Sequence, residues 1–134
     1  MSVDASVDTS VLLRFALGDV PDQFERAKAL LATPGVSFVV ADAAWLEVAY
    51  ALQHHYHLDR PAIVDVIESL MGIDGVRTTG SVVRDACATF TEHPKLSFTD
   101  CYLAEYAVGV AVAPLYTFDE KLAGQHPAAQ LVPD

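Results

Sequence analysis

The chain has 134 residues, 52% of them hydrophobic, which suffices for a packed domain and excludes a disordered chain. No apolar run approaches the roughly 20 residues that span a bilayer, and the N-terminus lacks the pattern of a secretory signal. Eighteen acids against eight Lys and Arg give a net charge of −10, which argues against nucleic-acid binding by basic charge alone and favours a basic protein partner. We therefore expect one cytoplasmic domain over residues 1–134, with no membrane association.

The chain begins with a strand and a helix joined by an acid. We expect a short buried strand at residues 5–7 that ends at Asp8, followed by an apolar helix at residues 11–17. Thr9 or Ser10 is the expected N-cap of that helix. Ligands of open α/β sheets bind at the carboxyl ends of strands. Because an acid between apolar residues has little structural purpose there, Asp8 is a candidate functional residue.

The next segments continue the alternation of helix and strand. Residues 21–31 have apolar side chains at helical spacing after a proline, and residues 36–40 are β-branched and aromatic, as in a strand. Asp42 is the expected N-cap of a third helix, which carries Glu47 in its second turn. The neighbours of Glu47 are apolar, which indicates a mostly buried helix and favours a functional role for this carboxylate.

The middle of the chain predicts two further helices and a strand. Asp59 is the expected N-cap of a fourth helix, a short strand is predicted at residues 76–78, and a fifth helix at residues 81–90. Cys87 and Cys101 lie in apolar helical surroundings without metal-ligand spacing, so we expect both to be buried and unreactive.

Two further acids lie in the last third of the chain. Thr99 is the expected N-cap of a sixth helix, which places Asp100 in its first turn, where a helix favours negative charge. A strand at residues 114–118 ends at Asp119, and residues 131–132 form a short last strand. Each acid also has a purely structural interpretation, Asp100 as a first-turn acid and Asp119 as the start of a turn.

Strands that alternate with helices predict an α/β domain with a mostly parallel central sheet and helices on both faces. Asp8 and Asp119 directly follow strands, and Glu47 and Asp100 lie in early helical turns near the same edge. These acids converge if the strands before Asp8 and Asp119 are neighbours.

Gathered carboxylates repel one another without a cation, and oxygen ligands suit Mg²⁺ or Mn²⁺. Such an ion activates water for attack on a phosphodiester, and our hypothesis is that this phosphodiester belongs to RNA.

Four passages together resemble the PIN domain, most closely the VapC-type ribonuclease toxins of prokaryotic toxin–antitoxin pairs. They are residues 7–14, 45–48, 99–104 and 116–122. Each passage is short, but their order and spacing agree with the family over essentially the whole chain. The resemblance implies a PIN-like three-layer α/β/α sandwich with a mostly parallel central sheet.

The resemblance also implies an activity, that of a Mg²⁺- or Mn²⁺-dependent endoribonuclease. The acids that match the catalytic, metal-binding positions are Asp8, Glu47, Asp100 and Asp119. Asp119 often acts through a bridging water in this family. Thr9 and Thr117 would orient waters or carboxylates through their hydroxyl groups.

The resemblance further implies a homodimer that a cognate antitoxin silences, commonly with a basic side chain near the acidic site. Few cations are present to hold RNA. The candidate contacts are Arg14, Arg84, Lys95 and Lys121, for which solvated surface charge is an equally good interpretation.

Two alternatives remain open. A receiver-like signalling domain is also a small α/β protein with an acidic pocket, and Thr117 and Lys121 are placed like its strand-end threonine and late lysine. However, the second predicted strand has no phosphoacceptor at its end apart from Asp42. The other alternative is a PIN-like scaffold that binds RNA or protein without cutting, and the presence of all four acids favours catalysis over it.

Overall fold

Over residues 3–134, which the computed structural model describes, the chain forms seven helices and five short strands, with two helices after each of the first three strands. In chain order they are β1 (Val3–Ser6), α1 (Thr9–Leu17), α2 (Pro21–Leu31), β2 (Val36–Val40), α3 (Asp42–His54), α4 (Arg60–Met71), β3 (Val76–Thr78), α5 (Val82–Glu92), α6 (Phe98–Gly109), β4 (Leu115–Thr117), α7 (Glu120–Gln125) and β5 (Ala129–Leu131). They group into two compact units, Met1–Thr79 and Gly80–Asp134. Met1 and Ser2, on which the expectation of no secretory signal partly rests, lie outside the described residues.

The first unit is built on a three-stranded parallel sheet in the order β1-β2-β3. The register places Ala5 of β1 beside Phe38 of β2, and Phe38 beside Val76 of β3. Parallel strands bring their carboxyl ends to the same edge of the sheet. The loops that leave the three strands therefore begin side by side.

The core of the first unit lies between this sheet and the apolar faces of its helices. Its most deeply buried side chains are Leu12, Phe38, Val40, Trp45, Val48, Leu52, Ile63, Ile67 and Leu70. The i, i+4 spacing of Ile63 and Ile67 puts both on one face of α4, as the sequence predicts. Gly18 ends α1 with φ +61°, a left-handed conformation that glycine adopts without strain.

The second unit contains a two-stranded parallel sheet of β4 and β5 and the packed pair α5 and α6. Phe90 and Phe98 meet edge to face with ring centroids 5.3 Å apart. Cys87 and Cys101 are both buried, so their expected burial is confirmed. His126 accepts the Ala128 N–H at Nδ1 (3.0 Å), which leaves Nε2 to donate to Glu105 (3.2 Å).

The predicted α/β class with parallel strands is confirmed, because every strand pair in both sheets is parallel. Within residues 3–134 no helix is long and apolar enough to cross a membrane. β1 pairs with β2, and β4 pairs with β5. That the strands before Asp8 and Asp119 are neighbours stays a prediction, as does a single domain over residues 1–134.

The first strand differs from its prediction in position and in burial. It covers Val3–Ser6 instead of residues 5–7, and all four of its residues are exposed instead of buried. It is an edge strand of the first sheet, with β2 as its partner. The apolar residues around it led to the wrong expectation, because a run this short does not distinguish an edge strand from a central one.

Three helices start earlier than predicted, which changes their caps. Asp8 caps α1 instead of Thr9 or Ser10, and Ser97 caps α6 instead of Thr99. In α3 the capping position belongs to Ala41, and Asp42 is the first helical residue. For α1 and α6 the physical reason is that Asp and Ser are both good caps, so the earlier of two suitable residues can begin the helix. This reason does not apply to α3, because Ala41 makes no side-chain cap bond.

Candidate active site

Asp8 stands where β1 ends and α1 begins, and only one of its oxygens serves the helix. Oδ1 accepts hydrogen bonds from the Ser10 hydroxyl (2.6 Å), the Ser10 N–H (3.0 Å) and the Val11 N–H (3.4 Å). Oδ2 accepts none from residues 3–134, so it is available to a ligand. The bond from the Ser10 hydroxyl, followed by that from Val11, holds the pKa of Asp8 below its usual value.

The expectation that Asp8 has little structural purpose is therefore wrong. Its carboxylate satisfies backbone N–H groups that the first turn of a helix leaves without partners. The cap role and a ligand role use different oxygens, so the two are compatible.

Thr9 links α1 to α3 beside Asp8. Its Oγ1 donates a hydrogen bond to Oε2 of Glu47 at 3.0 Å, which is the shorter of its contacts with α3. Trp45, Val48 and the other buried residues of α3 face the core, while Glu47 lies on the exposed side of the helix. Because Thr9 follows Asp8 directly, this bond places the two carboxylates on the same surface.

Asp8, Thr9 and Glu47 line one pocket of about 820 Å³, which we call the acidic pocket. It lies at the carboxyl edge of the first sheet, since its wall also includes Ala41, which follows β2, and Thr79, which follows β3. Strand ends of all three strands thus contribute to the position at which open α/β sheets bind ligands.

Two residues of this region were missed as site residues. Thr79 donates a hydrogen bond through Oγ1 to Oδ1 of Asp42 at 2.9 Å, and Thr79 lines the acidic pocket. Asp42 was expected to be only a cap, whereas its carboxylate reaches toward the end of β3. The available signal was the position of Thr79, which follows a strand as Asp8 does.

The other two predicted acids belong to the second unit. Asp119 follows β4 and caps α7, where its Oδ1 accepts the Lys121 and Leu122 N–H groups at 2.8 and 3.1 Å. Thr117 accepts the Asp119 N–H through Oγ1 at 2.9 Å. Asp119 therefore repeats the local arrangement of Asp8, a strand-end acid that caps the next helix through one oxygen. Asp100 is half-buried in the first turn of α6, as predicted.

The structure brings Asp8 and Glu47 together within the first unit. Among residues 3–134 no group of three or more His, Cys, Asp or Glu side chains is spaced to hold a metal ion. The convergence of all four acids and their roles as metal ligands stay predictions.

The candidate RNA-contact cations differ in their surroundings. Arg14 is half-buried: its Nε donates to Gln23 at 2.9 Å, and its Nη1 lies 3.2 Å from Asp19 and 3.3 Å from the Tyr56 hydroxyl. Arg84, Lys95 and Lys121 are exposed. Arg14 is thus a positioned cation.

The fold and pocket define a class: an α/β domain with two carboxylates, Asp8 and Glu47, at the carboxyl edge of a parallel sheet. The model of the PIN domain family matches residues 5–124, and the chain therefore belongs to the PIN domain family. PIN domains are generally nucleases and typically use divalent metal ions, so this is a nuclease fold. No curated protein matches the chain.

The family match confirms the predicted PIN domain and PIN-like α/β fold. The family match also argues against the receiver-like alternative, because receiver domains belong to a different fold family. The finer VapC-type assignment stays a prediction.

Proposed function

We propose that this chain is a metal-dependent endoribonuclease and the toxin of a type II toxin–antitoxin pair. The observation that carries the proposal is the acidic pocket, in which Thr9 fixes Glu47 and Asp8 keeps one oxygen available to a ligand. Membership of a family of nucleases supports hydrolysis of phosphodiester bonds as the reaction.

The donor set fits Mg²⁺ or Mn²⁺. The acidic pocket offers carboxylate oxygens, which hard divalent cations prefer, and its wall includes no histidine or cysteine within residues 3–134. The residues that would hold the ion are Asp8, Glu47, Asp100 and Asp119. A bound divalent ion supplies Lewis-acid chemistry that makes water a nucleophile at neutral pH.

The side chains around the pocket prepare it for a cation. The Ser10 and Val11 bonds lower the pKa of Asp8 and so favour its charged form, and the Thr9 hydroxyl holds Glu47 in one orientation. Without a cation, these negative charges repel a phosphodiester, as does the net charge of −10. RNA binding at this pocket should therefore depend on the metal.

The toxin assignment rests on the resemblance of the four acid-bearing passages to VapC-type proteins and on charge. A strongly acidic chain is complementary to a basic antitoxin segment that approaches the acidic pocket. We propose that the chain forms a homodimer and acts in the cytoplasm, where its antitoxin and RNA substrates are made.

Titration calorimetry with Mn²⁺ and cleavage of total cellular RNA test the proposal on antitoxin-free protein. Asp8→Asn is the sharpest variant, because Asn caps helices about as well as Asp but carries no charge. We expect wild type to bind Mn²⁺ and to cut RNA only with metal, and Asp8→Asn to lose both activities. Glu68→Gln, which neutralises an exposed acid of α4, is the matched control. Folded wild type that neither binds millimolar Mn²⁺ nor cuts RNA would overturn the proposal.

A further inference from the structure

A second groove lies between α1 and α2, and its polar lining is cationic. This groove, of about 640 Å³, is lined by Arg14 from α1 and by Gln23 and Arg26 from α2; we call it the arginine groove. Within residues 3–134 no Asp or Glu lines it. In a chain with a net charge of −10 and eight Lys and Arg, two arginines line this one groove, and the aspartates that pair with them, Asp19 and Asp22, lie outside its lining.

The arginine groove adjoins the acidic pocket. Ser10, Val11 and Leu30 line both. The Ser10 hydroxyl also bonds to Asp8, so the candidate ligand residue is a direct neighbour of this shared lining. A polymer that extends out of the acidic pocket past Ser10 would meet the groove next.

The two arginines are suited to an anion in different ways. Arg14 is held through Nε and Nη1 by Gln23, Asp19 and Tyr56, and these bonds leave its Nη2 facing no partner among residues 3–134. Arg26 pairs with Asp22 at 3.4 Å, but both side chains are about four-fifths exposed (77% and 81%). Such an exposed pair is weak, so a phosphate can replace Asp22 as the partner of Arg26.

We propose that the arginine groove binds backbone phosphates of the RNA strand whose scissile bond occupies the acidic pocket, an inference that rests on the proposed function. Arg26 and Arg14 contact phosphates next to the cleavage position, as planar guanidinium groups do well. The shared lining of the two cavities favours one RNA strand over an acidic protein segment, since a single strand would use both. The groove supplies the affinity for RNA that the acidic pocket lacks.

The test is fluorescence anisotropy of a labelled single-stranded RNA of mixed sequence, titrated in EDTA at several salt concentrations. Arg26→Gln should weaken binding about tenfold near 50 mM salt, the effect of losing one charged hydrogen bond. It should also reduce the slope of log K against log salt by about 0.7, the value for one phosphate of a single strand. Arg26→Lys should keep most of the slope. Lys28→Gln is the control, because Lys28 is an exposed cation of the same helix that does not line the groove.

Cleavage of the same RNA with Mn²⁺ separates the two proposals. Equal RNA affinity and slope for Arg26→Gln and Lys28→Gln would overturn the groove assignment, even if wild type cuts RNA. Selective weakening by Arg26→Gln, in protein that cuts nothing, would support the groove and contradict the nuclease proposal. Wild type that binds no RNA at any salt concentration would overturn the groove assignment as well.

Discussion

Asp8 caps α1 and is a proposed metal ligand, and two substitutions separate these roles. Asp8→Ala removes the cap of α1 together with the charge, whereas Asp8→Asn removes the charge and keeps a capping oxygen. Loss of an N-cap to Ala costs about 1 kcal/mol of stability, and Asn in place of Asp costs almost nothing. The three bonds to Oδ1 are those at risk in Asp8→Ala. We expect both variants to lose Mn²⁺ binding and RNA cleavage completely, but only Asp8→Ala to unfold at lower urea.

Asp59→Ala is the control for this comparison. Asp59 caps α4 by accepting the Ala62 N–H at 3.0 Å, and it does not line the acidic pocket. Its loss should cost a similar amount of stability, about 1 kcal/mol, while Mn²⁺ binding and cleavage persist. Urea denaturation and Mn²⁺ calorimetry on the three variants measure both quantities. Retained Mn²⁺ binding in Asp8→Asn, or an equal loss of activity in Asp59→Ala, would refute the separation of roles.

Thr9→Val removes the hydroxyl that holds Glu47 but keeps the side-chain shape, and should weaken Mn²⁺ binding about tenfold, whereas Thr9→Ser should bind like wild type. Folding lowers the pKa of Asp8, so the ionised carboxylate stabilises the fold at any pH above its ordinary pKa of 3.8. This contribution is lost as the pH falls through the lower pKa of the folded state. Urea curves at pH 6 and pH 3 should thus show a larger acid-induced loss for wild type than for Asp8→Asn. Gly18→Ala should destabilise the protein by about 1 kcal/mol through its φ of +61° alone, since the added Cβ would meet Phe24 at an ordinary 3.6 Å; unchanged urea stability would contradict this reasoning.

Most of the fold could be predicted from local sequence. The run 36–40 became β2 with the predicted bounds, and Asp59 and Gly18 mark the start of α4 and the end of α1 as expected. These signals are strong because each residue type meets one local requirement. Glycine adopts the left-handed φ at the end of a helix, and aspartate accepts an N–H of the first helical turn that has no partner within the helix. Where several capping residues are adjacent, as from Asp8 to Ser10, composition alone does not select among them.

The site was predictable only in part, for a related reason. The strand-end rule pointed to Asp8, which lines the acidic pocket in the structure, although its role as a ligand stays a prediction. The apolar neighbours of Glu47 indicated a mostly buried helix, whereas Glu47 itself lies on the exposed side of α3. The bond between Thr9 and Glu47 depends on how α1 packs against α3, and the arginine groove on how α1 packs against α2. Such contacts join residues far apart in sequence, and no local pattern encodes their distance.

One oxygen of Asp8 caps α1 and the other is available to a ligand, and this separation has an evolutionary consequence. A single-base change turns an aspartate codon into an asparagine codon, and here that change would spare the start of α1. The product would be a folded chain without the charge that a cation requires. In the toxin that we propose, this change would remove toxicity and leave the rest of the surface unchanged. Such a folded, inactive chain would still bind the proposed antitoxin and so free active copies.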